Sequence, residues 1–334
     1  MNATTIVYAV SLLLMGGVML ALPALSPAPF LFGVRVGLAF RKTGPGRHAV
    51  HTYYAFVSAG LAIAGGLAFA LGPNQNWTWM LVTLLPYAAA GVGYYLANRD
   101  LRQYAAAAGA PPVREADLFA AEDRLPRWLL WAIPPFLMPL AGAAYVQAHW
   151  SQIPARIAVH YGPDGQPNRW VARTPLHAYG LFVFAAGLML WILLLGIVSY
   201  FGARRSPVRG TVLGVLVSVM YLLGAVFTGA GVMPVCQFPL WFPIAILPLY
   251  IAGVVYWCYR KLKDPAASPA ESTPDECWTL GGIYRNPNDP ALFVAKRVGY
   301  GYTINFGNPL AKWVGAVFLG GIALLTGFIC WVMR

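Results

Sequence analysis

Charge is scarce in this chain of 334 residues: Asp, Glu, Lys and Arg together make up 10% of it, and acidic residues number only 11. So few charges cannot coat a water-soluble globule of this length, which excludes an ordinary soluble fold. With 59% hydrophobic residues and a mean hydropathy of +0.60, the composition is that of a membrane protein. Charge is also absent where it would matter most for transport. None of the 11 acidic and 23 basic residues falls inside the long apolar runs. Ionisable groups at membrane depth mark proton relays, ion pathways and substrate sites, so their lack disfavours a proton-coupled transporter or an intramembrane aspartyl protease. No HExxH is present for an intramembrane zinc protease. His51, near the end of the second run, is the nearest exception and reads as interfacial.

Cysteine is equally sparse. Cys236, Cys258, Cys277 and Cys330 show neither CxxC nor other metal-ligand spacing, and they read as small buried apolar side chains rather than as a disulfide or a metal centre. Metal and cofactor are both expected to be none.

Present in quantity are apolar runs, near 5–25, 50–71, 77–96, 128–147, 176–201, 211–233, 238–259 and 313–333. Each approaches or exceeds the ~20 residues that cross a hydrocarbon core. The first has no basic residue before it and no clear small-x-small cleavage site, so it reads as a retained span. Isolated strands would leave backbone groups unpaired in lipid, and no barrel alternation is visible. The expected fold is therefore an all-α polytopic membrane helix bundle of about eight transmembrane helices, with a short outer hairpin loop and a small cytoplasmic β-rich module. The expected segments are 1–127, membrane region with inner loops; 128–259, membrane region holding the loop 148–175; 260–275, linker; 276–309, β module; and 310–334, last helix.

Basic residues then orient the bundle. The first, third, fifth and seventh connections hold 19 of the 23 Lys and Arg residues, leaving Arg156, Arg169, Arg173 and Arg334 for the other side. Cytoplasmic loops accumulate Lys and Arg, so these connections belong inside and both termini outside. The formal charge of +12 is accordingly a topology signal with a share of anionic-lipid attraction, and nucleic acid is not an expected partner. Trp77, Trp79, Trp128, Trp150, Trp257, Trp313 and Trp331 fall near run ends, as amphipathic rings do at an interface. Pro86, Pro134, Pro135, Pro139, Pro239, Pro243 and Pro248 lie in runs, as is common in membrane helices. The glycine pairs at 16–17, 65–66 and 320–321 suggest close helix approach.

Three connections carry information. The segment IPARIAVHYGPDGQPNRW, residues 153–170, follows Trp150, alternates through Ile157, Val159 and Tyr161, and turns at Gly162-Pro163-Asp164-Gly165. It predicts a hairpin on the outer side whose candidate ligand-binding residues are Pro154, His160, Tyr161, Asp164, Gly165 and Trp170. His160 could titrate near neutral pH, donate to a carbonyl, or bind metal with Asp164, His149 or His177; a hydrogen-bonded structural histidine is the preferred reading. The first inner loop carries FGVRVG with Arg35 at its centre. Between the last two runs, a Pro-, Ala- and Ser-rich linker precedes CWTLGGIYRNPNDPALFVAKRVGYGYTINFGNPLAKW. Residues 292–294 and 302–306 read as strands there, and Asn-Pro-Asn-Asp-Pro as tight turns. Arg285, Asn286, Asn288, Asp289, Lys296, Arg297 and Asn305 could form a polar recognition face, although turn chemistry alone accounts for the asparagines. The third connection predicts a short amphipathic helix around ADLFAAEDRL.

The order Pro154, Ile157, His160-Tyr161, Gly165, Pro167-Asn168, Trp170 and Arg173 resembles the motif of domain of unknown function 1648, found in SdpI-type bacterial membrane proteins. This chain has Ala158 where a second Pro is common and Asn168 where Asp is common, so no carboxylate role carries over to position 168. The FGVRVG loop is similar to a Gly-aliphatic-Arg segment on a cytoplasmic loop of the same proteins. The segment from Cys277 to Trp313 resembles domain of unknown function 5808 in its Trp, Gly-x-Ile-Tyr, Asn-Pro-x-Asp-Pro, Phe-Val, Lys-Arg and Gly-Tyr-x-x-Asn-Phe order. The resemblance implies a bacterial inner-membrane protein that senses or confers immunity to an extracellular peptide and relays to a cytoplasmic regulatory protein. A transporter or lipid-handling protein is the rival reading, and a membrane enzyme acting at His160 a weaker one; otherwise no catalytic residue is expected.

Overall fold

The computed structural model describes residues 3–26, 29–37, 39–71, 76–108, 124–161, 166–203, 209–236, 241–262, 273–298 and 301–332. Its helices are α1 (Ala3–Ala21), α2 (Gly44–Leu71), α3 (Asn76–Leu101), α4 (Pro134–Ala148), α5 (Pro175–Gly202), α6 (Arg209–Val232), α7 (Trp241–Leu262) and α8 (Ala311–Val332). Four antiparallel strand pairs lie in the connections: β1 (Phe30–Leu31) with β2 (Val34–Arg35), β3 (Arg156–Tyr161) with β4 (Pro167–Ala172), β5 (Trp278–Thr279) with β6 (Ile283–Tyr284), and β7 (Phe293–Ala295) with β8 (Tyr302–Ile304).

Among the described residues, six helices are long and apolar enough to cross a membrane, fewer than the eight runs in the sequence. α1 and α7 contribute shorter apolar stretches among the described residues, Ala9–Ala21 and Ile246–Arg260. Helix ends also differ from the run ends. α2 starts at Gly44 and so takes Arg47 and His48 into exposed first turns. At α4, Pro134 and Pro135 sit in the opening positions, where a missing N–H costs nothing, and a 3-10 turn over Arg127–Ala132 precedes them. Charged side chains stay at helix ends in all six candidate spans.

The chain folds as two compact units. The first takes its described residues from Met1–Ala120 and Ile251–Ala311, the second from Ala121–Arg204, Arg209–Tyr250 and Lys312–Arg334.

In the first unit, α2 and α3 pack antiparallel, because small residues let their backbones approach. A Cβ on Gly60 would come within 2.6 Å of the Ala89 Cβ, and one on Gly93 within 2.8 Å of the Phe56 Cβ. α1 joins them through Gly16, seated on Leu61, and through the Tyr53 hydroxyl, which donates to the Met19 carbonyl at 2.9 Å. In the second unit, the Phe182 ring of α5 lies against Gly142 of α4 and Gly231 of α6. α8 runs antiparallel to α5, with Gly321 under the Trp191 indole and Val332 over Gly180. Of the three glycine pairs expected to admit a neighbouring helix, only Gly16 and Gly321 do so; Gly17, Gly65, Gly66 and Gly320 face open space. The four cysteines are free thiols. The helix expected around ADLFAAEDRL lies almost wholly outside the described residues.

Candidate functional site

The β3–β4 hairpin stands on a firm foot in the second unit. Ile157 and Val171 face one another in register and are buried with Val146, Ile153, Ala178, Phe182 and Val232. Arg173 fastens the far strand: its Nη1 donates to the Trp150 and Ile153 carbonyls at 3.0 and 2.7 Å, and its guanidinium lies 5.4 Å from the Trp150 ring centroid. Thr174 then caps α5 by accepting from the His177 N–H. His177 spends its own Nδ1 on the Ala172 carbonyl at 2.7 Å, so it braces the strand end.

Above that foot the hairpin is polar and open. Register shifts beside His160 leave Val159 and Asn168 without direct cross-strand partners, which is how an irregular ladder re-aims side chains. His160 is exposed, and its Nδ1 meets the Asn168 Oδ1 at 2.6 Å. An amide oxygen only accepts, so Nδ1 is the donor in this bond. Pro154 is exposed, Trp170 is 46% exposed, and Tyr161 is half-buried, with burial pushing its phenol pKa up. Asp164 and Gly165 lie outside the described residues, so the structure gathers Pro154, His160, Tyr161 and Trp170 on one hairpin without testing the turn. Among the described residues no group of three or more His, Cys, Asp and Glu side chains converges in metal-binding fashion. Among the described residues the sheet has two strands, and no third strand pairs with either outer edge.

The second assembly, in the first unit, joins two segments that the sequence presents separately. The β1–β2 loop lies against the module from Thr273 to Val298. Arg297 is 2% exposed, and its Nη1 pairs with the Asp275 Oδ1 at 2.6 Å while Nη2 donates to the Thr273 carbonyl at 2.8 Å. Its guanidinium is sandwiched between the Phe30 and Trp278 rings, 4.8 and 4.9 Å from their centroids. Arg35, 6% exposed, approaches the same Asp275 oxygen at 3.7 Å and lies over Phe30 at 5.1 Å. One carboxylate and one aromatic ring thus hold two guanidinium groups, the arrangement in which buried Arg is tolerated. Around them, the Asn98 Nδ2 donates to the Phe32 carbonyl at 2.7 Å and the Tyr94 hydroxyl to the Leu280 carbonyl at 2.6 Å.

Most of the asparagines hold the module together. Asn305 is fully buried; its Oδ1 accepts from the Asn286 and Gly307 N–H groups, and its Nδ2 donates to the Asn286, Asp289 and Ala291 carbonyls. Asp289 accepts from the Ala291 N–H and from the Tyr284 hydroxyl at 3.0 Å. Desolvation is the main cause that pushes Tyr284 up to about 12, with the Asp289 charge adding to it. Burial, followed by Glu276, likewise raises the Cys277 thiol. Asn286 closes an Asx turn on the Asn288 N–H. Of the polar face expected from the sequence, then, Asn286, Asp289, Asn305 and Arg297 are engaged internally, and Arg285 and Asn288 remain exposed, with Lys296 partly so. Sequence reasoning did not single out Asp275, Phe30 or Thr273; a carboxylate closing a Pro-rich linker was the available signal.

The model of the Domain of unknown function (DUF1648) matches residues 137–186, which span most of α4, the hairpin and the start of α5. The Family of unknown function (DUF5808) matches residues 287–312, from the Asx turn to the first residues of α8. The chain carries both domains. No curated protein and no solved structure gives a significant match.

Proposed function

We propose that this membrane protein is a peptide- or envelope-sensing binder, of the immunity kind, whose hairpin captures an extended peptide at the outer surface of a bacterial inner membrane. The observation that supports this reading is the β3–β4 hairpin itself: a two-stranded sheet with an apolar foot, exposed His160 and Trp170, and backbone edges that pair with no third strand among the described residues. An extended peptide adds to such an edge by main-chain hydrogen bonds, while neighbouring side chains select it. The basic connections set the hairpin outside and the β1–β2 loop and module inside. In this arrangement α1 and α7 also span; a 19-residue helix such as α1 is about 28 Å long, close to a bilayer core. Two structured faces joined by spans without mid-membrane charge suit recognition and relay to a cytoplasmic regulatory protein better than ion-coupled transport.

Challenge of a deletion strain with secreted antimicrobial peptides tests the reading. Sensitivity rises on deletion and is reversed by the wild-type chain, whereas the His160→Ala, Trp170→Ser double variant, inserted at wild-type level, fails to reverse it. Unchanged sensitivity across the peptide panel overturns the proposal.

A further inference from the structure

The module carries a surface that its own fold leaves uncovered. Residues Tyr284 and Asn305 are bridged in parallel, and both are fully buried, so both point into the module. Side chains alternate along extended chain, so the residues beside that bridge point the opposite way. Ile283 and Arg285 flank Tyr284, and Ile304 and Phe306 flank Asn305; Ile304 is half-buried, whereas Ile283 is 52% and Phe306 58% exposed and Arg285 is exposed too. The Phe306 N–H donates to the Tyr284 carbonyl at 2.9 Å and the Arg285 N–H to the Cys277 carbonyl at 2.9 Å, so the backbone carrying this face is fixed. Leu310, also 58% exposed, follows on the same chain, immediately before α8 begins at Ala311.

Two properties of this face identify its occupant. Its apolar members stand at the threshold of a helix that is apolar enough to cross a bilayer, so chain connectivity holds Phe306 and Leu310 near the headgroup layer. It also carries a guanidinium: the exposed Arg285 side chain makes no hydrogen bond or ion pair among the described residues, the carboxylates of Asp275 and Asp289 are engaged by Arg297 and Tyr284, and Glu276 is exposed beside Cys277. Apolar side chains flanking a free guanidinium are the chemistry of an interfacial anchor in an anionic leaflet.

We propose that the face formed by Ile283, Arg285, Phe306 and Leu310 seats in the headgroup region of the bilayer, with Arg285 pairing an anionic phospholipid. The lipid surface therefore holds the module in place, and through it the β1–β2 loop. This surface is independent of peptide capture by the hairpin, and its test does not involve peptide.

The full chain is reconstituted in nanodiscs of phosphatidylcholine alone or mixed with phosphatidylglycerol, and amide hydrogen exchange is followed at 280–286 and 302–310. Anionic lipid slows exchange there by about fivefold, the increment one basic side chain contributes near such a surface. Arg285→Gln removes that increment, and the Ile283→Ser, Phe306→Ser double variant raises exchange in both lipids. The Asn305 amide, bonded to the Leu292 carbonyl, stays protected in every variant and reports that the module remains folded. Equal exchange in the two lipids overturns the proposal. So does protection that inorganic phosphate reproduces in phosphatidylcholine discs, since the site would then take a free anion.

Discussion

Gly33 and Gly281 meet backbone to backbone: a Cβ on Gly33 would lie 2.6 Å from the Gly281 Cα. Both have left-handed backbones, with φ of 78° and 67°. The tips of the β1–β2 and β5–β6 hairpins interlock here, at a contact that no side chain could enter. Alanine at either position carries a backbone penalty of roughly 1–2 kcal/mol and a clash besides. Gly33→Ala and Gly281→Ala should each separate loop and module, read as faster amide exchange at 30–36 and 278–284 with α2 and α3 unaffected. Unchanged exchange would show that this contact does not hold the two together.

Asp275 is 41% exposed by side chain, yet it faces two nearly buried guanidinium groups. Asp275→Asn removes the shared counter-charge and should destabilise the assembly by about 1–3 kcal/mol, less than a fully buried pair because water reaches one side. The Arg297→Met change alone loses the pairing and both ring contacts. Combined with Asp275→Asn, it should cost less than the sum of the two single changes, since they remove the same interaction. Strict additivity in a thermal-unfolding cycle would contradict the coupling.

Tyr284 is held neutral by burial, up to about 12 against an ordinary value of 10. Between those values the unfolded chain loses its phenolic proton while the folded one keeps it, so stability falls as pH rises through that window. Module exchange should therefore quicken from about pH 10 upward. Tyr284→Phe should flatten that alkaline limb, at a neutral-pH cost of about 1–3 kcal/mol for removing one of the donors to the buried Asp289 carboxylate. A limb of the same size in the variant assigns it to another group.

Arg173 is the anchor of the hairpin, through two backbone carbonyls and the face of Trp150. Arg173→Met keeps the apolar stem and removes the donors, with an expected loss of about 1.5–3 kcal/mol, as for charged hydrogen bonds. Limited proteolysis should then cut within 153–172 under conditions that leave the wild-type chain intact. Resistance equal to wild type would place the anchoring in the Ile157 and Val171 pair alone.

Gly321 admits the Trp191 indole between α8 and α5. Gly321→Leu overfills this contact, with an expected cost of about 1–3 kcal/mol, and should lower the unfolding temperature in detergent. Gly320→Leu, one residue away in open space, should leave it unchanged and serves as the control.

Membrane residence, helical class and the polar connections were determined by the sequence itself, because hydrocarbon imposes length and charge rules that each segment obeys alone. The strand segments in the hairpin and the module were legible for the same reason: alternation at Ile157, Val159 and Tyr161, and the β-prone runs at 292–294 and 302–306, are local signals. Which loops meet was a matter for tertiary structure. FGVRVG and the C-terminal module lie at opposite ends of the chain, and nothing in their spacing announces that Arg35 and Arg297 share Asp275, or that two glycines touch. Nor does an asparagine-rich turn reveal whether its polar groups face a ligand or one another. Hydrogen-bond satisfaction on burial decided that, drawing Asn305 and Asp289 inward and leaving Arg285 exposed.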